Sequence, residues 1–292
     1  LVMEQLPEVP RERILAEVQR RNTAPCVAWA AYHIRAIDPD ATMIVSPADH
    51  LILREEVFRD AILQGMDFVE ELPSLLTLGV KPTRAETGYG YIQIGDESKG
   101  AIRSVKTFTE KPNRELAQVF VDSGEFFWNT GIFIWKAGSI IEAIKQYLPE
   151  VSIRFEACSD SFGRPGSEQV VQKQLAACPN ISIDVGIMEK ATNVYVLCTD
   201  FGWSDVGTWG SLYALSQKDT CENVVLHGRA TCYDSHRNIV STSEKKLVIL
   251  DGLQDYIVTD SENVLLICRK SEEQRIRQFV NDAKTRFGNE YT

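Results

Sequence analysis

The chain has 292 residues, 41 acidic against 31 basic, giving a formal charge of −10, with 44% hydrophobic and 25% charged residues. That composition excludes collagen, a disulfide miniprotein and a disordered tail; roughly three quarters of the extended-chain surface can be buried, in one large domain or a large one plus a small one. Charge is spread without any run of five Lys/Arg, which argues against nucleic-acid or anionic-membrane binding, so a polyanionic ligand needs a metal or locally placed cations.

Seven cysteines, odd in number and without a Cys-x-x-Cys pair, read as buried thiols in a reducing cytosol. No apolar stretch approaches the roughly twenty residues of a membrane span, and the first residues carry neither a basic start nor a cleavage site. The expectation is a cytoplasmic protein.

In chain order, Ala24 to Ile37 carries a helical stripe, with Thr23 able to cap it and Pro25 suited to the first turn. After the turn Asp38-Pro39-Asp40 comes the apolar strand Thr42–Ser46, ending in Pro47-Ala48-Asp49-His50. A second helix with Phe58, Ala61, Ile62, Gly65, Phe68, Val69 and Leu72 on one side leads to the buried strand Leu75–Val80, and strand–helix–strand predicts a parallel pair with a crossover. Gly90–Ile94 and Ala101–Glu110 are extended, Asn113–Val121 helical, Phe126–Trp135 extended, and Ser139–Leu148 helical behind a Ser139/Glu142 capping box. From about Asn223, short β-branched runs between Gly, Asp, Asn and Ser predict a small all-β unit, a barrel or a β-helix. It is followed by a helix opened by a Ser271/Gln274 capping box. The boundary falls near residue 220, dividing the chain into 1–220 and 221–292.

Ligands of open parallel sheets bind beyond the carboxyl ends of the strands. Asp49 lies at such an end and is either a ligand for Mg²⁺ or the cap of the next helix. Phe201–Trp209 offers Asp205 bracketed by glycines and two tryptophans, either a site loop or a tight turn. Glu110-Lys111-Pro112 closes an extended segment and suits a sugar phosphate, the carboxylate taking hydroxyls and the ammonium the phosphate; it can equally be a solvated pair. Thr87-Gly88-Tyr89-Gly90-Tyr91 is a ligand-approach loop or a plain turn, and not a dinucleotide fingerprint. Asp38-Pro39-Asp40 precedes a strand and so reads as a turn, not as a metal-binding Asp-x-Asp.

Taken in order, several strings resemble one family, the mannose-1-phosphate guanylyltransferases of the sugar-nucleotidyltransferase superfamily. They are Arg21–Pro25, Pro47–His50, Thr87–Ile92, Glu110–Pro112, Trp128–Phe133, Ser182–Asp184 through Met188–Lys190, and Trp203–Thr208. The resemblance implies an α/β fold with a Rossmann-like mixed, mainly parallel sheet flanked by helices, plus a small β-rich C-terminal domain. It implies an enzyme that joins GTP and α-D-mannose 1-phosphate into GDP-mannose with release of pyrophosphate. Asp49 and Asp205 would hold Mg²⁺ or another divalent cation, and with Lys111 they would be the catalytic set. Asn22 and Thr23 would lie near the guanine; Gly88, with Tyr89 beside it, Glu110, Asn129 and Asp184 would face the sugar, Lys111 its phosphate, and Lys190 is a further phosphate-side candidate.

The family opens with a strand and a Gly-rich loop, whose Arg and following Lys cradle the triphosphate, and nothing before Arg21 supplies it. The expectation is that the sequence represents the protein incompletely, since loss of a first strand leaves sheet edges unpaired; a truncated, inactive form is the other reading. The rival functions are another hexose-1-phosphate nucleotidylyltransferase and a non-catalytic sugar-nucleotide-binding regulator. A homodimer is expected, as two-fold association is the commonest oligomeric state.

Overall fold

The computed structural model describes residues 2–162, 168–261 and 263–291. These form a short turn of helix α1 (Val2–Gln5), α2 (Thr23–Ile37), β1 (Thr42–Val45), β2 (Leu51–Ile52), α3 (Glu55–Glu71), β3 (Leu75–Val80), β4 (Gly90–Lys99), β5 (Ile102–Glu110), α4 (Arg114–Ser123) and β6 (Phe126–Lys136). There follow α5 (Ala137–Tyr147), α6 (Pro149–Glu156), α7 (Glu168–Ala176), β7 (Val194–Cys198), β8 (Trp203–Ser204), α8 (Trp209–Leu215), strands β9 (Val224–His227), β10 (Arg229–Tyr233), β11 (Ile239–Ser241), β12 (Leu247–Asp251), β13 (Tyr256–Ser261) and β14 (Val264–Arg269), and α9 (Ile276–Phe287). Two compact units result. One comprises Leu1–Ala48 with Ile52–Trp203, and the other Asp49–Leu51 with Ser204–Thr292. The second unit thus begins before the β-branched texture near residue 220, because Trp209, Leu212 and Tyr213 of α8 join the apolar core of the tail.

The first unit is built on a six-stranded sheet in the order β1-β6-β3-β7-β5-β4, with β4 also pairing β6. Successive side chains of β3 enter opposite layers, Leu75 with α2, α5, α6 and α7, and Leu76 and Leu78 with α3 and α4, as the two-residue period of a strand requires. Phe133 and Trp135 of β6 join the first layer, Ile132 and Ile134 the second.

The expected parallel pairing of Thr42–Ser46 with Leu75–Val80 is corrected. Both strands run antiparallel to β6, which lies between them. They share a direction but no hydrogen bonds, because the later strand Phe126–Lys136 fills the gap. The sheet is mixed, and the parallel pairing it contains is β3 with β7. Three helix starts also differ. Asn22 caps α2, its Oδ1 accepting from Thr23 N at 2.9 Å. Ser139 lies inside α5, whose flanking residue is Lys136 with no side-chain cap. Ser271 likewise lies in a 3₁₀ turn, Lys270–Arg275, ahead of α9. Asp38-Pro39-Asp40 is a turn, with Asp40 N donating to Asp38 Oδ1 at 3.0 Å.

In the second unit β9, β11 and β13 stack in parallel with Val224, Ile239 and Ile257 in one row, and β10 stacks on β12 in the same sense. Of the two all-β expectations this is the β-helix. Its interior is a column of Val224, Ile239, Ile257 and Cys268 and a second of Val240, Leu250 and Val258. Each coil turns its corner with a left-handed residue, Glu222 (φ 60°), Arg237 (φ 56°) and Asp255 (φ 63°), and buried Asn223 and Asn238 stitch one coil to the next. Asn223 Oδ1 accepts from Asn238 N at 3.0 Å, and Asn238 Oδ1 from Tyr256 N at 2.9 Å. The corner charges alternate, and Arg237 donates twice to Asp255, at 3.0 and 2.9 Å.

Candidate active site

On the edge of β6 away from β3, pairing with β1 ends at Phe133 and pairing with β4 begins at Trp128. The segment between, Asn129–Ile132, is therefore left open on that edge at the carboxyl end of β1, the kind of sheet discontinuity where ligands bind. The other edge is irregular there. Thr77 faces Phe133 and Gly79 faces Asn129, so β6 carries more residues than β3 across the same stretch. Such bulges re-aim side chains beside functional sites. Thr77, a polar residue in an otherwise apolar strand, absorbs the mismatch: its hydroxyl lies 3.0 Å from Asn129 Oδ1 and 3.1 Å from the Ile132 carbonyl oxygen. Gly131 N donates to the same Asn129 oxygen at 3.2 Å. With Oδ1 occupied, Asn129 Nδ2 turns to Asp184 Oδ1, to which it donates at 2.9 Å.

Asp184 opens a π-helical turn, Asp184–Met188, closed by Glu189 N donating to the Asp184 carbonyl at 2.9 Å; such turns concentrate at functional sites. Its carboxyl is pushed up to about 6, first by burial and then by the negative charge of Glu110, against which its own backbone amide, Asn129 and Lys111 act. Glu110 ends β5 opposite Gly90. A Cβ at Gly90 would lie 2.6 Å from Glu110 Oε2 and 3.3 Å from Asn129 Cβ, so a side chain here would displace the Glu110 carboxylate from this position. Lys111, in the left-handed region at φ 49°, donates from Nζ to Glu110 Oε1 at 2.8 Å and from its amide to the Tyr89 carbonyl at 3.2 Å. Gly90, Glu110, Lys111, Asn129 and Asp184 thus form one polar constellation of two carboxylates, an amide and an ammonium.

The α2 start is fastened to the same segment. Thr23 Oγ1 accepts from Ile183 N at 2.8 Å and Ala24 N donates to the Ile181 carbonyl at 3.1 Å, so Asn22 and Thr23 are held to the segment leading into Asp184. Tyr89 is buried, its ring edge-on to Trp128 and Trp203, each with centroids 5.1 Å away; it gives the site packing and a carbonyl. Lys190 is exposed at the end of the π-helical turn, its amide donating to the Ile187 carbonyl at 2.9 Å.

Asp49 and Asp205 both belong to the second unit. Asp49 does not cap the next helix, whose N-terminal flank is Arg54. His50 feels both carboxylates, which oppose the lowering of its pKa by burial. Asp205 Oδ1 accepts from Ser211 Oγ at 3.3 Å, and its Oδ2 stands 3.0 Å from where a Cβ at Gly207 would be. Among the described residues no group of three or more His, Cys, Asp or Glu could hold a metal. Two hard carboxylates fit Mg²⁺ nonetheless, since it usually takes one or two from the protein and the rest of its shell from substrate phosphates and water.

The family profile described as nucleotidyl transferase matches residues 3–222, and that described as MannoseP isomerase/GMP-like beta-helix domain matches 228–282. The chain belongs to the nucleotidyl transferase family. It is 35% identical over 296 residues to a mannose-1-phosphate guanylyltransferase of Escherichia coli (strain K12), covering 97% of this chain and 61% of that one. It is 34% identical over 299 residues to a protein of the same name from Salmonella muenchen, covering 100% and 62%. The chain therefore spans about 61% of the length of these curated relatives. A crystal structure described as mannose-1-phosphate geranyltransferase from Thermus thermophilus superposes with a TM-score of 0.80 at 28% identity, covering 97% of this chain and 88% of that one.

Thr77 and Glu86 help to hold this site but stand outside the sequence's candidate residues. The first had a visible signal, a threonine inside Leu-Leu-Thr-Leu-Gly-Val. The second, a buried acid just ahead of the Thr87–Gly88 loop, had none beyond its charge.

Proposed function

We propose that the protein transfers the guanylyl group of GTP to α-D-mannose 1-phosphate, forming GDP-mannose and pyrophosphate. The observation that carries this reading is the approach of Glu110 and Asn129 to the side-chain-free Gly90 at the open edge of β6, with Asp184 bonded to Asn129 and within the field of Glu110, in a chain whose relatives carry that enzyme's name. Two carboxylates and an amide suit the holding of sugar hydroxyls.

Nucleotidyl transfer needs alignment and charge neutralisation more than covalent help. Glu110 and Asp184 accept hydroxyl hydrogens of the hexose, and Asn129, its amide fixed by Thr77, orients Asp184. Lys111 uses one ammonium hydrogen on Glu110 and keeps the others for the sugar phosphate; Lys190 is the further cation on the phosphate side. Asn22 and Thr23 present the start of α2 to the base. A phosphate oxygen of the sugar attacks the α-phosphorus of GTP while the bond from that phosphorus to the β-bridging oxygen breaks, and pyrophosphate leaves with the electron pair. Asp49 and Asp205 would hold Mg²⁺ or another divalent cation, which would supply positive charge to phosphate oxygens.

All seven cysteines are free thiols, the state a reducing compartment maintains, and this supports a cytoplasmic setting. No helix among the described residues is long and apolar enough to cross a membrane. A homodimer completes the reading, and light scattering tests it. The activity is tested by pyrophosphate release from GTP and mannose 1-phosphate by the full-length protein. Turnover with another nucleotide or hexose phosphate alone would move the assignment to a sister specificity, and binding without turnover would make the protein a regulator.

A further inference from the structure

We infer that Glu86 is the positioning residue of the sugar-facing loop Thr87–Tyr89; the inference rests on the function proposed above. Glu86 is 6% exposed, and a buried carboxylate is costly unless its oxygens are satisfied. Here they are divided between two tasks. Oε1 accepts from Thr87 N at 3.0 Å and from Gly88 N at 3.1 Å. Oε2 accepts from Arg84 Nε at 3.2 Å and Nη2 at 3.1 Å. The main chain of Glu86 is pinned as well, because Tyr91 Oη accepts from Glu86 N at 3.0 Å and donates to its carbonyl at 2.9 Å.

This arrangement connects the loop to the site. The Arg84 guanidinium lies over the Trp128 ring at 5.3 Å, and Tyr89 meets the same ring edge-on. Trp128 immediately precedes Asn129, and Tyr91 pairs with Trp128 across the ladder. Glu86 therefore sets the loop against the strand that carries the sugar-binding amide. It also selects what the loop can offer. A phosphate-binding loop aims free N–H groups at its ligand, whereas the amides of Thr87 and Gly88 are already spent on Glu86. A ligand here meets a loop whose first two amides are taken, which suits sugar hydroxyls better than a phosphate.

The test compares the wild-type protein with Glu86→Gln and with the double variant Arg84→Met/Glu86→Gln. Glutamine keeps an acceptor for the two amides but turns an NH₂ donor toward the Arg84 donors, and methionine at 84 removes that conflict. Expected is a rise of about tenfold in KM for the hexose phosphate in Glu86→Gln, with KM for the nucleoside triphosphate within about twofold, and partial recovery in the double variant. Equal changes for both substrates, or no change, overturn the inference. Amide hydrogen exchange at Thr87 and Gly88 in the wild-type protein decides independently of turnover and of how the variants fold. Protection of about tenfold or more supports the clamp, and exchange at the rate of a free loop overturns it. A wild-type protein that is inactive but protected would sink the catalytic reading and leave the clamp standing.

Discussion

Asn129 Nδ2 donates to Asp184 Oδ1 at 2.9 Å, across 55 residues of sequence. The bond takes its direction from the opposite end of the amide, where Thr77 and Gly131 occupy Oδ1. Thr77→Val, nearly isosteric, takes away the hydroxyl and leaves the amide oxygen one donor short in a buried place. Expected is a loss of about 1 to 2 kcal/mol in urea denaturation, together with a severalfold higher KM for the hexose phosphate. Unchanged stability and KM would mean that Asn129 is oriented by something else.

Asp184 should give stability a pH dependence of its own. A carboxyl whose folded pKa lies above its unfolded value favours the fold below the unfolded pKa, and that contribution is lost as pH rises through the folded one. For Asp184 the window runs from 3.8 to about 6, with an effect on the order of 2 to 3 kcal/mol. Asp184→Asn keeps the acceptor for Asn129, so it should match the wild type near pH 4, exceed it in stability at pH 8 and lose turnover. Carbon NMR of the Asp184 carboxyl should also report a lower pKa in Glu110→Gln, because Glu110 is the second cause of the elevation. A titration near 4 in the wild type would remove the basis for both expectations.

Gly90→Ala tests the convergence itself. The new methyl would stand 2.6 Å from Glu110 Oε2, so the carboxylate must swing away while the surrounding sheet stays paired. Turnover should fall by at least about tenfold while thermal denaturation changes little. An alanine variant with full activity would show that Glu110 need not occupy this position.

For Asp49 and Asp205 the expectation is loss of turnover in either Asn variant with the core intact, since each lies outside the apolar columns and would contribute a hard ligand to the proposed cation. Binding of Mn²⁺, followed by electron paramagnetic resonance in the presence of GTP, should weaken by about tenfold or more in each. Normal binding by one variant would remove that residue from the ligand pair.

Much of the fold could be read from side-chain periodicity, and the reasons differ by element. Leu75–Val80 and the six short runs after Asn223 announce themselves because burial on both faces, or repeated corners, leaves a local imprint. The insertion of β6 between β1 and β3 leaves none, since strand order is settled by packing between segments far apart in the chain. The caps show the same limit. Ser139 and Ser271 head plausible boxes, yet the helices or turns around them start earlier, where tertiary contacts place the backbone. At the site, resemblance supplied Glu110, Asn129 and Asp184, but not how they are held. Thr77, Glu86 and the tight space at position 90 act through neighbours that no short window of sequence contains.

The stacked corners of the second unit carry a different lesson. Each coil passes an asparagine bond and a charge of alternating sign to the next and adds its own residues to the apolar columns, so stability is summed from neighbour to neighbour. A coil inserted between Glu222 and Arg237 would meet the same kinds of neighbour contact as the coils already there, so the unit is built from interchangeable turns.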